Sequence, residues 1–381
     1  GFRMGKLQGR KRARRRPIKP VNETVLIIGT ILIATIGLLA MRKVGNLTAV
    51  LDLGRQWTGV ITLYYLLMQS VFFALALSVL RYYKTKKTIY LIIGGVVLLA
   101  IVSIIGGNVK RHMIAEVAII FVGARFFLRY KQPSRGLVLA GLVMGTLVLH
   151  QVGPVRQYIA DGRGNALEAV ADGVLTENFA YFNMEESPEL TQALVDVYAA
   201  NQVGKLEGPA ELWNSFVHQY IPSFLFGRTF KNSLMVDSNT ATTLLNLDRF
   251  TRLGATRTGF SDSFRGYSVF GSLFFLGLGF FLGLLYSLAL SGRLWAQFYY
   301  LVLLNDGLFT LTESTVRFIV ALPFIFTLTL PVFFFASLFA KGRKAPGQDP
   351  VGQIDPARLP RAPSPVPPSP VPPSIAPEGA I

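Results

Sequence analysis

The chain has no cysteine and only three histidines among its 381 residues. The first absence excludes disulfides, Cys-ligated zinc, iron–sulfur clusters and thiol nucleophiles; the second leaves little room for a His-rich metal site. Charge is scarce too, at 15% of residues against 51% apolar, and the mean hydropathy is +0.44. With the apolar residues gathered in long blocks, that balance excludes a soluble globular enzyme. Acids are scarcer than bases, 21 against 38, for a net charge of +17. Such an excess fits nucleic acid, a membrane surface or an anionic substrate, so its distribution must decide. There is no GxxxxGK[ST], HExxH, GxSxG or paired metal-ligand spacing. ATP-driven transport, zincin proteolysis and a nucleophile-elbow hydrolase thereby lose most of their support.

What is present is hydrophobic length. A bilayer core roughly 30 Å thick needs about 20 mostly apolar residues per helix. Eight segments qualify: 22–41, 59–80, 88–107, 112–128, 136–152, 268–290, 296–312 and 318–340. The expected fold is an all-α polytopic membrane protein with about eight transmembrane helices and one large extracytoplasmic loop containing short helices. Segment 22–41 is too long for the apolar part of a secretory signal. The parts divide as a basic N-terminus (1–21), transmembrane helices one to five (22–152), the loop (153–265), helices six to eight (266–340) and a tail (341–381).

Basic residues orient this layout. Nine Lys/Arg and no acid fall in 1–19; Arg81, Lys84, Lys86 and Lys87 follow the second segment, Arg129, Lys131 and Arg135 the fourth, and Lys341, Arg343 and Lys344 the eighth. An even number of crossings puts all of these clusters on one side, which the positive-inside rule makes cytoplasmic, with both termini. Lys11–Arg16 is then an orientation anchor touching anionic lipid, and no nucleic-acid partner is expected. The tail carries twelve prolines in 345–381 and reads as a solvated polyproline extension.

The loop is divided by charge. Residues 153–211 hold ten acids and three bases, whereas 228–257 hold Arg228, Lys231, Arg249, Arg252 and Arg257 against Asp237 and Asp248. Short helices are expected over Ala166–Val174 and, capped by Ser187, over Pro188–Asn201. The aromatic stretch Leu212–Phe226, interrupted by Pro222, is too short to span and reads as interfacial or re-entrant. An apolar platform beside a cationic patch fits a lipid with an anionic headgroup.

Ionisable groups within spans are expensive in hydrocarbon and are functional candidates. His112 and Glu116 share a helix face. Asp306, Glu313 and Arg317 would stack on one stripe if the seventh span stayed helical. Lys110, Arg111, Arg156 and Arg317 approach the outer surface; singly such residues snorkel to headgroups, but together arginines can hold a diphosphate. Gly279 and Gly283 form a GxxxG packing motif.

The order of these parts resembles the bacterial O-antigen polymerase family, the Wzy-type oligosaccharide repeat-unit polymerases. The resemblance rests on "VKRHMIAEVAIIFVGARFFL" (109–128), "GPVRQYI" (153–159), "HQYIPSFLFGRTFKNS" (218–233), "TGFSDSFRGYSVFGSLFFLGLGFFLG" (258–283) and "ESTVRF" (313–318). It covers roughly 105–340, and its most telling piece is the Y-x-x-F-G step from Tyr267 into a Gly-rich helix. Where the family often has Glu two positions before that Tyr, this chain has Arg265.

The resemblance implies a glycosyltransferase in the bacterial cytoplasmic membrane. It would transfer a growing glycan from undecaprenyl diphosphate to another lipid-linked repeat unit outside that membrane, without metal or cofactor. Arg156, Arg111, Arg317, Arg252 and Lys110 would clamp the diphosphate, and Glu313, His218 and Glu116 are candidate bases. The implied partners are undecaprenyl-diphosphate-linked glycans, membrane lipid, and a chain-length regulator or other polysaccharide-assembly proteins. An O-antigen ligase would share the loop and the arginines. A transporter or flippase of an anionic lipid-linked or small solute would share the buried charges, although the long one-sided loop breaks any inverted repeat.

Overall fold

In the computed structural model, the described residues are 1–15, 20–48, 60–107, 111–129, 188–204, 206, 208–236, 258–312 and 314–340, with isolated positions between 134 and 172. Among them every regular element is a helix. Four are long and apolar enough to cross a membrane: Glu23–Val44, Leu63–Thr85, Gly259–Leu290 and Thr315–Leu338. The tail and most of segments 136–152 and 166–174 lie outside the described residues.

The elements are α1 (Phe2–Arg15), α2 (Glu23–Thr48), α3 (Val60–Met68), α4 (Ser70–Thr85), α5 (Thr88–Gly107) and α6 (Arg111–Arg129). From the loop come α7 (Pro188–Val203), α8 (Ala210–Tyr220), α9 (Ser223–Phe226) and α10 (Arg228–Ser233). Then follow α11 (Gly259–Tyr267), a 3-10 turn (Ser268–Gly271), α12 (Ser272–Leu290), α13 (Leu294–Thr312) and α14 (Thr315–Leu338).

Helix α4 is the centre. Every residue from Ser70 to Arg81 is buried, as expected of a helix that is apolar all round and enclosed by neighbours. It packs against α2, α5, α6, α13 and α14. Phe73 meets the rings of Phe298 and Phe324, tying α4 to α13 and α14. The outward faces of α2, α5 and α14 are apolar as well, with Ile28, Leu32, Leu91, Leu99, Leu330 and Phe334 exposed. Apolar surface on this scale marks a molecule whose exterior is not matched to water.

Termini meet at two ends of the bundle. At the first, which carries Arg81, Lys84 and Arg293, Asn22 caps α2 by accepting from the amides of Thr24 and Val25 at 3.0 and 3.3 Å. Its own amide donates to Ala336 O at 2.8 Å, joining the start of α2 to the end of α14. Arg81 at the end of α4 pairs with Glu23, and Tyr90 at the start of α5 donates to Glu23 at 3.0 Å. Phe126 and Phe127 of α6 lie against Tyr286 of α12, and Phe127 also against Tyr300 of α13. At the opposite end, the start of α6 meets the end of α13, and α11 rests on the α13–α14 turn. These are called below the basic end and the loop end.

Two placements depart from the sequence expectation. Residues of the basic N-terminus form α1, which runs along α12. Gly5 and Gly283 permit this approach: a Cβ on Gly5 would sit 1.9 Å from Phe280 O, and one on Gly283 would sit 2.2 Å from Phe2 O. Gly279 and Gly283 thus serve helix packing, with α1 as the partner. The second departure is the charged stripe. Ser314 interrupts the helix, its side chain accepting from Val316 N at 3.3 Å. Asp306 and Arg317 therefore belong to different helices and meet across a turn.

Candidate functional site at the loop end

The loop end gathers polar groups from helices far apart in sequence. Buried Glu116 on α6 accepts from Asn305 Nδ2 on α13 at 3.4 Å, so this carboxylate is turned toward α13. One residue on, Asp306 accepts from Arg317 Nε at 3.3 Å, and the Arg317 guanidinium lies 5.2 Å from the centre of the Phe309 ring. Arg317, expected to bind diphosphate, is thus already held by a carboxylate and an aromatic face. Glu313, Lys110, Arg156 and Arg252 lie outside the described residues, as do the side chains of Arg111 and His112.

The loop helices close over this end. Trp213 Nε1 donates to Leu234 O at 2.6 Å, and Asn214 exchanges bonds with Val236 at 2.8 and 2.9 Å, folding α8 to α10 into one arm. Buried Lys231 donates to His218 O at 2.8 Å. Burial, and then the Lys231 charge, lower the His218 imidazole from its ordinary value, which favours its neutral form. Pro222 separates α8 from α9, as expected of a residue that cannot continue a helix. Phe224, Leu225, Phe226 and Phe230 leave an exposed apolar tip.

The root of this arm enters the bundle. The Tyr220 hydroxyl donates to Val320 O and accepts from Phe324 N at 3.2 Å. It is thereby inserted into the backbone ladder of α14 beside Pro323, where a helix is open to such a wedge. Burial pushes the Tyr220 phenol up to about 12, so it remains a donor. Leu212–Phe226 is thus divided between a root set into the bundle at Tyr220 and an exposed apolar tip.

Between α8, α11, the 3-10 turn and the start of α14 lies a cavity of about 280 Å³. Glu211, Asp262, Ser263, Phe270, Thr315 and Ile319 contribute to its wall. Behind it Arg265 is 1% exposed, pairing with Glu211 and approaching Asp262 Oδ1 at 3.8 Å. The backbone around the cavity is strained at one residue: Ser268 has φ 52° and ψ −140°, a region that residues with a Cβ rarely adopt. Gly271 is wedged so closely that a Cβ would lie 2.3 Å from Ser263 O. The Y-x-x-F-G step is therefore the turn that forms one wall. Sequence reasoning singled out that step and Arg265 but missed Glu211 and Asp262. The available signal was the i, i+3 spacing of Asp262 and Arg265 on a short amphipathic segment.

Among the described residues these features define an all-helical protein with apolar, membrane-length helices and a small, mostly apolar cavity at one end. The chain matches no family model, no curated protein and no solved structure.

Proposed function

We propose that this chain is an integral membrane glycosyltransferase that polymerises undecaprenyl-diphosphate-linked oligosaccharide repeat units into O-antigen or exopolysaccharide. The basic end faces the cytoplasm and the loop end the periplasm or exterior. The observation that carries the reading is the joint placement, at one end of an apolar bundle, of a cavity bordered by Glu211, buried ionisable groups and an exposed aromatic tip. A lipid-linked sugar needs all three: a tip that lies in the headgroup layer, a cavity for the sugar, and charges near the reacting bond.

In the reaction the acceptor hydroxyl oxygen bonds to the anomeric carbon of the donor. The anomeric C–O bond to the diphosphate breaks, and the diphosphate leaves with the bonding pair. The hydroxyl proton passes to a base. His218 is the base this reading favours, because its environment keeps the imidazole neutral; Glu116 and Glu313 are the alternatives. Arg111, Arg156, Arg252 and Lys110 are the cations proposed to hold the leaving diphosphate, with Arg317 divided between that role and Asp306.

The test is a gel of surface glycan from a host deleted for this gene, with and without the wild-type chain on a plasmid. Single repeat units on deletion and a restored ladder on complementation support the polymerase; a ladder that deletion leaves unchanged rejects it. Arg156→Ala should abolish the ladder while the protein stays in the membrane fraction.

A further inference from the structure

We infer that the flank of α1 beside Tyr286 binds the anionic headgroup of a phospholipid from the leaflet at the basic end, and that this lipid supplies the counter-charge for α1. The inference needs the bundle to lie in a membrane, as the proposed function does, but nothing of the glycosyl transfer.

Placement makes the first argument. Helix α1 runs parallel to α12, toward the basic end: a Cβ on Gly1 would meet Leu276 O, one on Gly5 would meet Phe280 O, and one on Gly9 would meet the Ser287 side chain. Successive turns of one flank therefore carry Phe2, Lys6 and Arg10 from the apolar middle toward the basic end. Tyr286 is their common neighbour. The Phe2 ring lies 5.7 Å from its ring, Lys6 Nζ stands 5.5 Å from the ring centre, and Arg10 is near enough to act on its hydroxyl through charge. Phe126 of α6 and Tyr300 of α13 pack on the same ring.

Charge makes the second. Helices α1 and α12 contain no Asp or Glu, and the acids of α6 and α13, Glu116, Asp306 among them, sit at the loop end. Glu23 at the basic end is held by Arg81 and Tyr90. Lys6 and Arg10 form no ion pair with a described residue. An anionic headgroup answers that need, since cations at a membrane boundary attract its phosphate, and the tyrosine hydroxyls can donate to the same oxygens. The order along the flank, apolar at Phe2 and cationic at Lys6 and Arg10, matches an amphiphile with its acyl chain toward hydrocarbon and its phosphate toward water. Lys11 and Arg12 are exposed as well, but they project about 100° and 200° round the helix from Arg10. The site is thus one flank of α1 and leaves out the basic run that follows Arg10.

The experiment is native mass spectrometry of the full chain in a non-ionic detergent, titrated with dioleoyl phosphatidylglycerol or dioleoyl phosphatidylethanolamine. The first phosphatidylglycerol should bind about tenfold more tightly than phosphatidylethanolamine, and Lys6→Gln with Arg10→Gln should remove that preference, the scale of losing charge-assisted contacts. Lys11→Gln with Arg12→Gln removes the same charge from other faces and should leave the preference in place. Lys6→Arg with Arg10→Lys should also keep it, which separates lost charge from a displaced helix. Equal affinity of the wild-type chain for the two lipids overturns the site. Equal loss in the two glutamine variants overturns it too, by showing diffuse attraction to the whole helix. Displacement of phosphatidylglycerol by millimolar inorganic phosphate overturns the choice of a lipid. The expected pattern in a chain unable to restore the ladder leaves the lipid site standing and removes only the polymerase.

Discussion

The two ends of the bundle each bury an arginine against a glutamate, yet they do different things with it. At the basic end Arg81, 4% exposed, pairs with Glu23, and Tyr90 completes the cluster by donating to the same carboxylate. These residues belong to α4, α2 and α5, so the pair fastens three helices of the bundle. At the loop end Arg265 pairs with Glu211 and approaches Asp262, joining α8 to α11, and here the partly exposed Glu211 borders a cavity. Burial of an ion pair is therefore not itself a sign of function. What distinguishes the loop end is that Glu211 keeps a face toward open space, whereas the Asp262 carboxylate oxygens are buried.

The largest effects come from breaking either pair. Removing one partner of a buried ion pair costs about 3–5 kcal/mol, because a charge is left uncompensated. Arg81→Met should lower stability by that order, and Glu23→Leu added to it should restore most of the loss; thermal unfolding in detergent checks both. The ladder formed per folded molecule should be unchanged in the double variant. Arg265→Met should reduce the ladder formed per folded molecule, because it leaves Glu211 and Asp262 without their shared cation. If the double variant at the basic end also loses the ladder at normal stability, the distinction between the ends is lost.

Next in size is Gly271→Ala, which places a Cβ against Ser263 O. Overpacking of this kind costs about 1–3 kcal/mol, and the strain should be confined to the loop end. Hydrogen exchange should rise in 259–275 and stay at its wild-type level in α4. An increase spread evenly through the bundle would show that the two ends are not energetically separate.

A smaller effect is expected from Tyr220→Phe. The variant keeps the ring and loses the hydroxyl that bridges Val320 O and Phe324 N. A buried hydrogen-bonding group left without its partner costs about 1–3 kcal/mol, less if α14 closes its own ladder. The Phe324 amide should become the most altered site in an exchange experiment, and the arm carrying α8 should be nicked faster by protease. Unaltered exchange at Phe324 would mean that the arm does not grip the bundle there.

Much of the helical layout was legible in the sequence, because long apolar runs leave the backbone few choices other than helix in a dry environment. The segment 88–107 is helix α5 residue for residue, and helices coincide closely with 112–128, 296–312 and 318–340. The site was less legible. Glu211 and Arg265 are 54 positions apart, and no periodicity connects them. The proposed stripe of Asp306, Glu313 and Arg317 assumed one continuous helix, whereas Ser314 starts a new one. The serine was visible in the sequence as an N-cap residue type, between the separate apolar segments 296–312 and 318–340. The packing of α1 along α12 was written in the four-residue spacing of Gly1, Gly5 and Gly9; the basic run Lys11–Arg16 after those glycines carried the reading toward a surface anchor instead.

The smallest effect concerns pH and belongs to the loop end alone. His218 is held below its ordinary value of 6.5 by burial and by Lys231. The unfolded arm therefore binds a proton more readily than the folded arm between the lowered value and 6.5. Folding of the arm should be fully supported above 6.5 and should weaken as pH falls below it, since protonation then favours the open form. Amide exchange over 210–236, corrected for its intrinsic pH dependence, should show less protection at pH 5 than at pH 7.5. His218→Gln should flatten that difference, because glutamine does not titrate. The Glu23–Arg81 cluster contains no histidine, so exchange at the basic end should not follow this profile. A matching loss of protection in α2 and α4 would mean that the arm and the bundle open together.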